Sequence, residues 1–259
     1  MAKQTGILKL TGTIGNITFY KTRNGYLAKQ KNSVSKSRIM KDPAYAGTRR
    51  AMSEFGHASS LSKVFRFAIA GMILQVHKGY FPSRLTALFG KIIRTDKVNA
   101  PGKRELLRGD LSLMKGLEIS ERERLDAYLD GMPNLSINRE TSVTVFSFSG
   151  LEKADLLRYP KGATHFTLKP GLVLMGEDPR QKAHFAGIKY TDSIYVPVKK
   201  GLEGMEDIRF SLQRGPDPQL LCGLLALHFY QEVNGEMHAL SEGACVRVVH
   251  AERLEGKDS

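Results

Sequence analysis

The spacing of apolar residues predicts helices in the first half of the chain and strands in the second. Apolar residues recur three and four positions apart over residues 61–76, and the same spacing resumes over residues 85–93 after Pro82. Two amphipathic helices with a short connection are expected to pack antiparallel, so these segments predict a helical hairpin.

Two shorter helices are predicted on either side of this hairpin. Asp42 is a favourable N-cap and Pro43 suits a first helical turn, so one helix is expected to begin there and to end at Gly56. Ser120 and Glu123 have the spacing of a capping box, which predicts the start of the other helix. In the alternative, this region forms strands, because residues 111–114 and 117–119 alternate between apolar and polar positions.

Residues 5–31 are predicted to form a β-ribbon of short paired strands. The run Ile7-Leu8-Lys9-Leu10 is expected to be the first strand, and residues 17–20 a later one. The dipeptide Asn24-Gly25 separates two strand-like runs and favours a hairpin, because both central positions of such a turn adopt positive φ.

From about residue 133 the helical period disappears and seven short strand-like runs stand between Gly and Pro residues. They cover residues 143–148, 164–174, 188–198, 208–212, 220–233, 236–240 and 245–250. Strands at this spacing predict an antiparallel, immunoglobulin-like β-sandwich. The predicted fold is therefore α+β, with a basic β-ribbon and helical hairpin in residues 1–132 and the β-sandwich in residues 133–259.

A second Asn-Gly dipeptide, Asn234-Gly235, predicts the turn of the last hairpin. Counted outward from a two-residue turn, residue 245 would face residue 224, which places Cys245 on the same side of the sheet as Cys222. Residues 241–243 interrupt this ladder, so the pattern leaves open whether the two thiols are close.

The composition excludes several classes of protein and shows an uneven distribution of charge. With 259 residues, 41% hydrophobic and 25% charged, the chain is neither disordered nor, with 2 Cys, a disulfide scaffold. The formal net charge is +13. Residues 1–117 hold 22 Lys and Arg against 5 Asp and Glu, whereas residues 118–259 hold 17 against 21. This asymmetry indicates an acidic partner, which could be nucleic acid, an anionic surface or the acidic half of another copy.

The N-terminus predicts a cytoplasmic protein. Lys3 and Lys9 flank only a short apolar segment, which is too short for the core of a signal peptide. The most apolar stretch, residues 67–76, is far below the roughly 20 residues of a membrane span. No membrane association is expected, and both cysteines are expected to be reduced.

Several motifs together resemble a domain-of-unknown-function family of uncharacterised proteins typical of Bacteroidota. These motifs are Gly6-Ile-Leu-Lys9, Gly12-Thr-Ile-Gly15, Ile17-Thr-Phe-Tyr-Lys21, Asn24-Gly-Tyr-Leu27, Ser35-Lys-Ser-Arg38, Lys41-Asp-Pro-Ala44, Glu54-Phe-Gly56, Pro160-Lys-Gly-Ala-Thr-His-Phe166 and Phe229-Tyr-Gln-Glu-Val-Asn-Gly235. The resemblance implies a basic N-terminal region, helices and a β-rich C-terminal region. It brings no established activity, cofactor or catalytic residue. The chain departs from the family at His238-Ala-Leu240 and Cys245-Val-Arg247, where a Tyr-Pro-Leu-like run and an Asn-rich tail are usual.

No complete catalytic or cofactor-binding motif is present in the sequence. Neither Gly90-Lys91 nor Gly102-Lys103 continues into the Ser or Thr of a phosphate-binding loop, and no Gly-x-Ser-x-Gly occurs. None of the 7 His lies four residues from another, the spacing that places two metal ligands on one helical face. The sequence therefore predicts no enzyme, no catalytic residue, no metal site and no cofactor.

The strongest functional signal is the cluster of basic residues in and just after the predicted β-ribbon, together with two tyrosines. These candidate partner-binding residues are Lys21, Arg23, Lys29, Lys31, Lys36, Arg38, Arg49, Arg50, Tyr20 and Tyr26. Lys and Arg on one surface suit phosphates, and tyrosine rings can stack on exposed bases. In the alternative interpretation the tyrosines pack across strands and the lysines protect a sheet edge.

These patterns predict a non-enzymatic structural or interaction protein. Its basic N-terminal half would engage an acidic partner or another copy of the chain. The alternative is a nucleic-acid-binding protein with little sequence preference, because contacts to phosphates carry no sequence information.

Overall fold

An antiparallel sheet of four strands begins the chain in the computed structural model, which describes residues 1–31, 34–151, 156–177, 186–191, 194–211, 215 and 217–256. Its strands are β1 (Ala2–Lys3), β2 (Gly12–Ile14), β3 (Ile17–Thr22) and β4 (Gly25–Gln30), in the spatial order β1-β4-β3-β2. The predicted β-ribbon is present, but residues 7–10 form a loop, so their prediction as a strand is wrong.

The hairpin between β3 and β4 turns one residue earlier than the sequence predicts. Thr22 pairs with Gly25, which leaves Arg23 and Asn24 as the turn residues. Gly25 has a φ of +114°, whereas neither turn residue has a positive φ. Glycine adopts this backbone conformation without steric cost, so Gly25 can begin strand β4 directly after the turn.

Helix α1 (Lys36–Lys41) follows the sheet and the long helix α2 (Ala46–Ala68) begins soon afterwards. The Ser35 hydroxyl caps α1 by accepting a hydrogen bond from the Arg38 backbone N–H at 3.2 Å. Asp42 is an N-cap as predicted, although the element that it caps is a single 3-10 turn, Pro43–Tyr45, ahead of α2.

Gly56 lies inside α2, so the predicted helix end at this residue is wrong. A glycine within a helix costs about 1 kcal/mol relative to alanine. Leu61 and Phe65, on the turns that follow, are both 0% exposed. Burial of each contributes about 1.5–3 kcal/mol, which outweighs the cost of the glycine.

The chain divides into two compact units, residues 1–50 and 51–259, with the boundary inside α2. The first unit contains the four-stranded sheet, α1 and the start of α2. The second unit contains the rest of α2 and everything after it. The predicted boundary at residue 132 lies within this second unit.

Among its described residues, the second unit contains two antiparallel sheets, two further helices and two 3-10 turns. The strands are β5 (Asn134–Asn138), β6 (Val143–Ser147), β7 (His165–Gly176), β8 (Ala186–Tyr190), β9 (Val196–Pro197), β10 (Ile208–Ser211), β11 (Gln219–Val233), β12 (Glu236–Ala239) and β13 (Cys245–Leu254). Helix α3 is Phe81–Arg94 and α4 is Leu125–Tyr128, and 3-10 turns cover Leu111–Met114 and Val198–Lys200. The N-cap of α4 is Arg124, so the predicted helix start at Ser120 is wrong. A three-stranded sheet has the order β10-β6-β5, and β7 to β9 and β11 to β13 form a six-stranded sheet.

Strand β11 is the centre of the second unit. It pairs with β7 along one edge and with β13 and then β12 along the other. Leu220, Cys222, Leu224 and Ala226 pack into one hydrophobic cluster, together with α2 and α3. Leu221, Leu225, Leu227 and Phe229 pack into a second cluster, together with the three-stranded sheet. Both faces of this strand are buried because its apolar residues form a continuous run instead of alternating with polar ones.

This arrangement confirms the predicted α+β fold with antiparallel sheets. It also shows that Cys222 and Cys245 belong to different clusters on opposite faces of the six-stranded sheet. Cys245 faces Leu227 in the β11–β13 ladder, so the predicted register, with residue 245 opposite residue 224, is wrong.

Thr144 is an unusual residue of the three-stranded sheet because it is 0% exposed and its hydroxyl has no hydrogen-bond partner among the described residues. Thr144→Val replaces the hydroxyl by a methyl group of similar size. We expect the free energy of unfolding to rise by about 1 kcal/mol in urea denaturation, because an orphaned buried polar group is removed. Thr141→Val, at an exposed position of the β5–β6 turn, is the control and should change it by less than about 0.5 kcal/mol.

Candidate partner-binding surface

All ten candidate partner-binding residues lie in the first unit. Tyr20 and Lys21 are on β3, Tyr26 and Lys29 are on β4, and Arg23 lies in the turn between these strands. Lys31 follows β4, Lys36 and Arg38 lie on α1, and Arg49 and Arg50 are in the first turns of α2.

The two tyrosines each lie beside a lysine, on opposite faces of the four-stranded sheet. Lys21 is directly opposite Tyr26 in the ladder, and its Nζ lies 5.6 Å from the centre of that ring. Lys29 Nζ lies 5.6 Å from the centre of the Tyr20 ring on the other face. Side chains alternate between faces along a strand, so each face receives one Lys–Tyr pair. Each tyrosine thus packs against a lysine of the neighbouring strand, which is the cross-strand packing that the alternative interpretation expects.

None of the described residues in the first unit is buried. Two large aliphatic residues, Ile7 at 100% and Leu8 at 84%, are highly exposed in the loop between β1 and β2. Ile14 and Ile17 face each other across the β2–β3 ladder and are 65% and 46% exposed. A small sheet needs apolar cover on at least one face for independent stability, so these exposed aliphatic side chains are candidates for contact with a partner.

The Gln4 side chain closes the loop that presents Ile7 and Leu8. Its Oε1 accepts a hydrogen bond from the Leu10 backbone N–H at 2.8 Å, and its Nε2 donates to the Leu10 carbonyl at 3.2 Å. The same Nε2 donates to the Leu27 carbonyl at 3.0 Å, which ties the loop to β4. The loop that carries Ile7 and Leu8 is thus anchored to the sheet by the hydrogen bonds of Gln4.

The first unit contains eleven Lys and Arg residues and a single carboxylate, Asp42, which gives a formal charge of +10. Arg38 Nε lies 3.3 Å from Asp42 Oδ2. Arg49 donates to the backbone carbonyls of Ile39 and Asp42 at 2.7 and 2.8 Å. Arg49 therefore links α1 to α2, and its guanidinium is engaged within the unit rather than offered to a partner.

The sequence interpretation missed Ile7 and Leu8 as surface residues because it assigned them to a strand. The signal was present in the pattern itself. A strand with one solvent-exposed face alternates apolar and polar residues, whereas Ile7-Leu8-Lys9-Leu10 does not, and glycines lie on both sides at positions 6 and 12.

Over the described ranges, no three His, Cys, Asp or Glu side chains are placed to hold a metal ion. In the same part of the chain, no helix has the length and apolar character needed to cross a membrane.

Comparison with known proteins does not add an identity. No family model matches the chain, and neither does any curated protein or solved structure. The resemblance to a Bacteroidota family therefore stays a prediction that rests on the sequence motifs.

Proposed function

We propose that the chain is a non-enzymatic interaction protein whose first unit binds an acidic protein partner. The observation that carries this proposal is that the first unit combines a formal charge of +10 with exposed aliphatic side chains. None of its described residues is buried. In a partner complex the lysines and arginines would meet carboxylates while the aliphatic side chains lose their contact with water.

Charge favours a different protein over another copy of the chain. The second unit has 28 Lys and Arg against 25 Asp and Glu, a formal charge of +3. Another copy therefore offers no strongly acidic unit to complement the first one, and two first units repel each other. Electrostatic complementarity accelerates encounter and excludes partners of like charge, which supports an acidic partner of another sequence.

The aliphatic residues favour a protein over nucleic acid. Burial of an isoleucine or leucine side chain contributes about 1.5–3 kcal/mol, and a protein groove can supply the apolar surface that this requires. The phosphate backbone of nucleic acid offers no such groove to Ile7 and Leu8. Basic groups on both faces of the sheet also suit a partner that encloses it.

Nucleic acid remains the second candidate because of the two Lys–Tyr pairs. Tyr20 and Tyr26 are half-buried, so part of each ring is accessible to a base. Binding of this kind would depend on phosphates and show little sequence preference. In either case we propose that the second unit, with its predicted immunoglobulin-like sandwich, serves as a scaffold, and that the protein acts in the cytoplasm.

The test begins with capture of bound material from the native cell, with and without nuclease, and continues with the purified partner. Lys21→Gln combined with Lys29→Gln is expected to weaken partner binding about tenfold at low salt and less at high salt, since salt screens exposed charges. Ile7→Ser combined with Leu8→Ser is expected to weaken binding more than tenfold at both salt concentrations, because apolar burial is lost. Titration calorimetry gives both affinities.

The matched control variants remove positive charges and an aliphatic side chain from the second unit instead. Lys161→Gln with Lys199→Gln removes two exposed positive charges there, and Leu74→Ser removes an aliphatic side chain that is 76% exposed. Both controls should bind as the wild type does. Loss of the captured material after nuclease treatment would favour nucleic acid. Equal weakening by the control variants would remove the first unit as the binding surface.

A further inference from the structure

The second unit has an open cleft of about 370 Å³ between one side of α2 and the loop that follows α3. Ser53, Glu54 and His57 line it from α2, where their spacing places them on neighbouring positions of one helical side. Asn99 and the segment 102–105 line it from the loop. A volume of this size lies in the range of small-ligand sites.

Three carboxylates hold the loop in place through its backbone N–H groups. Asp96, at the end of α3, accepts from Val98 and Glu105 at 2.8 and 3.0 Å, and these hydrogen bonds help to keep its pKa below the usual value although burial raises it. The 2%-exposed side chain of Glu177 accepts from the N–H groups of Leu106 and Leu107, both at 2.7 Å.

Glu54 is the third carboxylate that holds this loop, and Glu177 also orients the side chain of His57. Glu54 Oε1 accepts from the Gly102 N–H at 2.8 Å and lies 3.8 Å from Arg104 Nη1. His57 Nε2 is hydrogen-bonded to Glu177 Oε1. This hydrogen bond holds the imidazole ring of His57 in a fixed orientation.

The cleft has positively charged hydrogen-bond donors that lack an acceptor in the described part of the chain, whereas its carboxylates are already paired. The acidic groups are engaged, since Glu54 and Glu177 have the partners just described and Glu105 Oε2 lies 3.2 Å from Arg108 Nε. In contrast, the Arg104 side chain is 25% exposed, its Nη1 comes no closer than 3.8 Å to Glu54, and its Nε has no acceptor among the described residues. Lys103 is exposed beside it, and no described carboxylate pairs with its ammonium. Unmatched donors in a preformed site indicate an acceptor-rich ligand.

We propose that this cleft binds a small oxyanion, a phosphate or a carboxylate group, through Arg104 and Lys103. The planar guanidinium matches the geometry of either group, and the lysine adds a second positive charge. The loop is held by carboxylates before any ligand arrives, so little order has to be gained on binding. This site lies wholly in the second unit and is independent of the proposed partner surface.

Titration calorimetry of the full chain with inorganic phosphate and, separately, with succinate tests this site and distinguishes the two ligand chemistries. Arg104→Gln is expected to weaken binding of the preferred anion at least about tenfold, and Lys103→Gln, at an exposed position, by about threefold to tenfold. Arg122→Gln, which removes an exposed arginine outside the cleft, should leave the affinity unchanged.

The proposal fails if neither anion binds below about 10 mM, a dissociation constant near the weak limit of specific recognition. It also fails if Arg122→Gln weakens binding as much as Arg104→Gln does. Thermal denaturation checks that each variant is folded. Should Arg104→Gln not fold, Lys103→Gln decides the question, and unchanged affinity in that variant overturns the proposal. None of these outcomes depends on whether the first unit binds a protein.

Discussion

Replacement of Phe65 by alanine is expected to lower the free energy of unfolding of the second unit by about 3–5 kcal/mol, the largest effect that we expect from a single substitution. Phe65 lies on α2 and is 0% exposed. Its ring meets that of Phe89 on α3 edge to face, with the ring centres 5.9 Å apart. Both rings belong to the cluster that packs the helices against the six-stranded sheet, so truncation leaves a cavity at this junction.

Phe67→Ala is the matched control because it removes the same side chain from the same helix two residues later. Phe67 is 74% exposed, so its loss should change the free energy of unfolding by less than about 0.5 kcal/mol. Urea denaturation followed by circular dichroism measures both variants. Similar losses in the two variants would show that α2 does not have the buried side assigned here.

The same helix shows which parts of the fold the sequence could predict. Apolar residues over 61–76 recur at helical spacing, but α2 ends at Ala68 and residues 69–75 form turns, so the helix prediction is wrong beyond Ala68. The residues of this pattern that lie in α2 face the cluster. Local signals alone would have ended the helix at Gly56, because glycine lowers helix propensity. The end was decided by tertiary burial further along the chain, which no local pattern contains.

Strand positions were predicted better than strand pairing. Six of the seven predicted runs contain a strand at nearly the predicted position, and only 188–198 is divided, into β8 and β9. Strand β5 was missed although residues 134–138 alternate in burial. The pairing of Cys245 was mispredicted because residues 241–243 add length between β12 and β13, so that the ladder starts again at Leu227. Pairing depends on loop length and three-dimensional closure, neither of which periodicity reports.

The candidate surface was predictable in its charge but not in its apolar part. The sequence alone places eight candidate basic residues and two tyrosines near one another, and the hairpin brings Lys21 beside Tyr26. It could not show that Arg49 is engaged by backbone carbonyls. Nor could it show that the first unit has no buried residue among those described, since burial is a property of the folded chain.

Acid is expected to destabilise the second unit through His228, a residue of β11 that is 6% exposed. Burial, and to a smaller extent the charge of Lys169, lowers the pKa of His228 from 6.5 to about 4. Between these values the unfolded chain binds a proton that the folded chain does not. The contribution of His228 to stability is therefore fully present above pH 6.5. Below that, the free energy of unfolding falls by about 1.4 kcal/mol per pH unit, to a total loss of about 3 kcal/mol near pH 4.

His228→Leu is expected to abolish this part of the pH dependence, because leucine has no proton to gain. The buried Nε2 of His228 has no partner among the described residues, and neither has the hydroxyl of Thr167, which faces it across the β7–β11 ladder. Substitution by leucine therefore breaks no described hydrogen bond of Nε2. Urea denaturation between pH 4 and pH 7 gives the difference between variant and wild type, which should grow by about 3 kcal/mol as the pH falls. His238→Leu, at a side chain that is 58% exposed on β12, is the control, and its difference from the wild type should stay nearly constant. A constant difference for His228→Leu as well would mean that His228 titrates alike in the folded and unfolded chain.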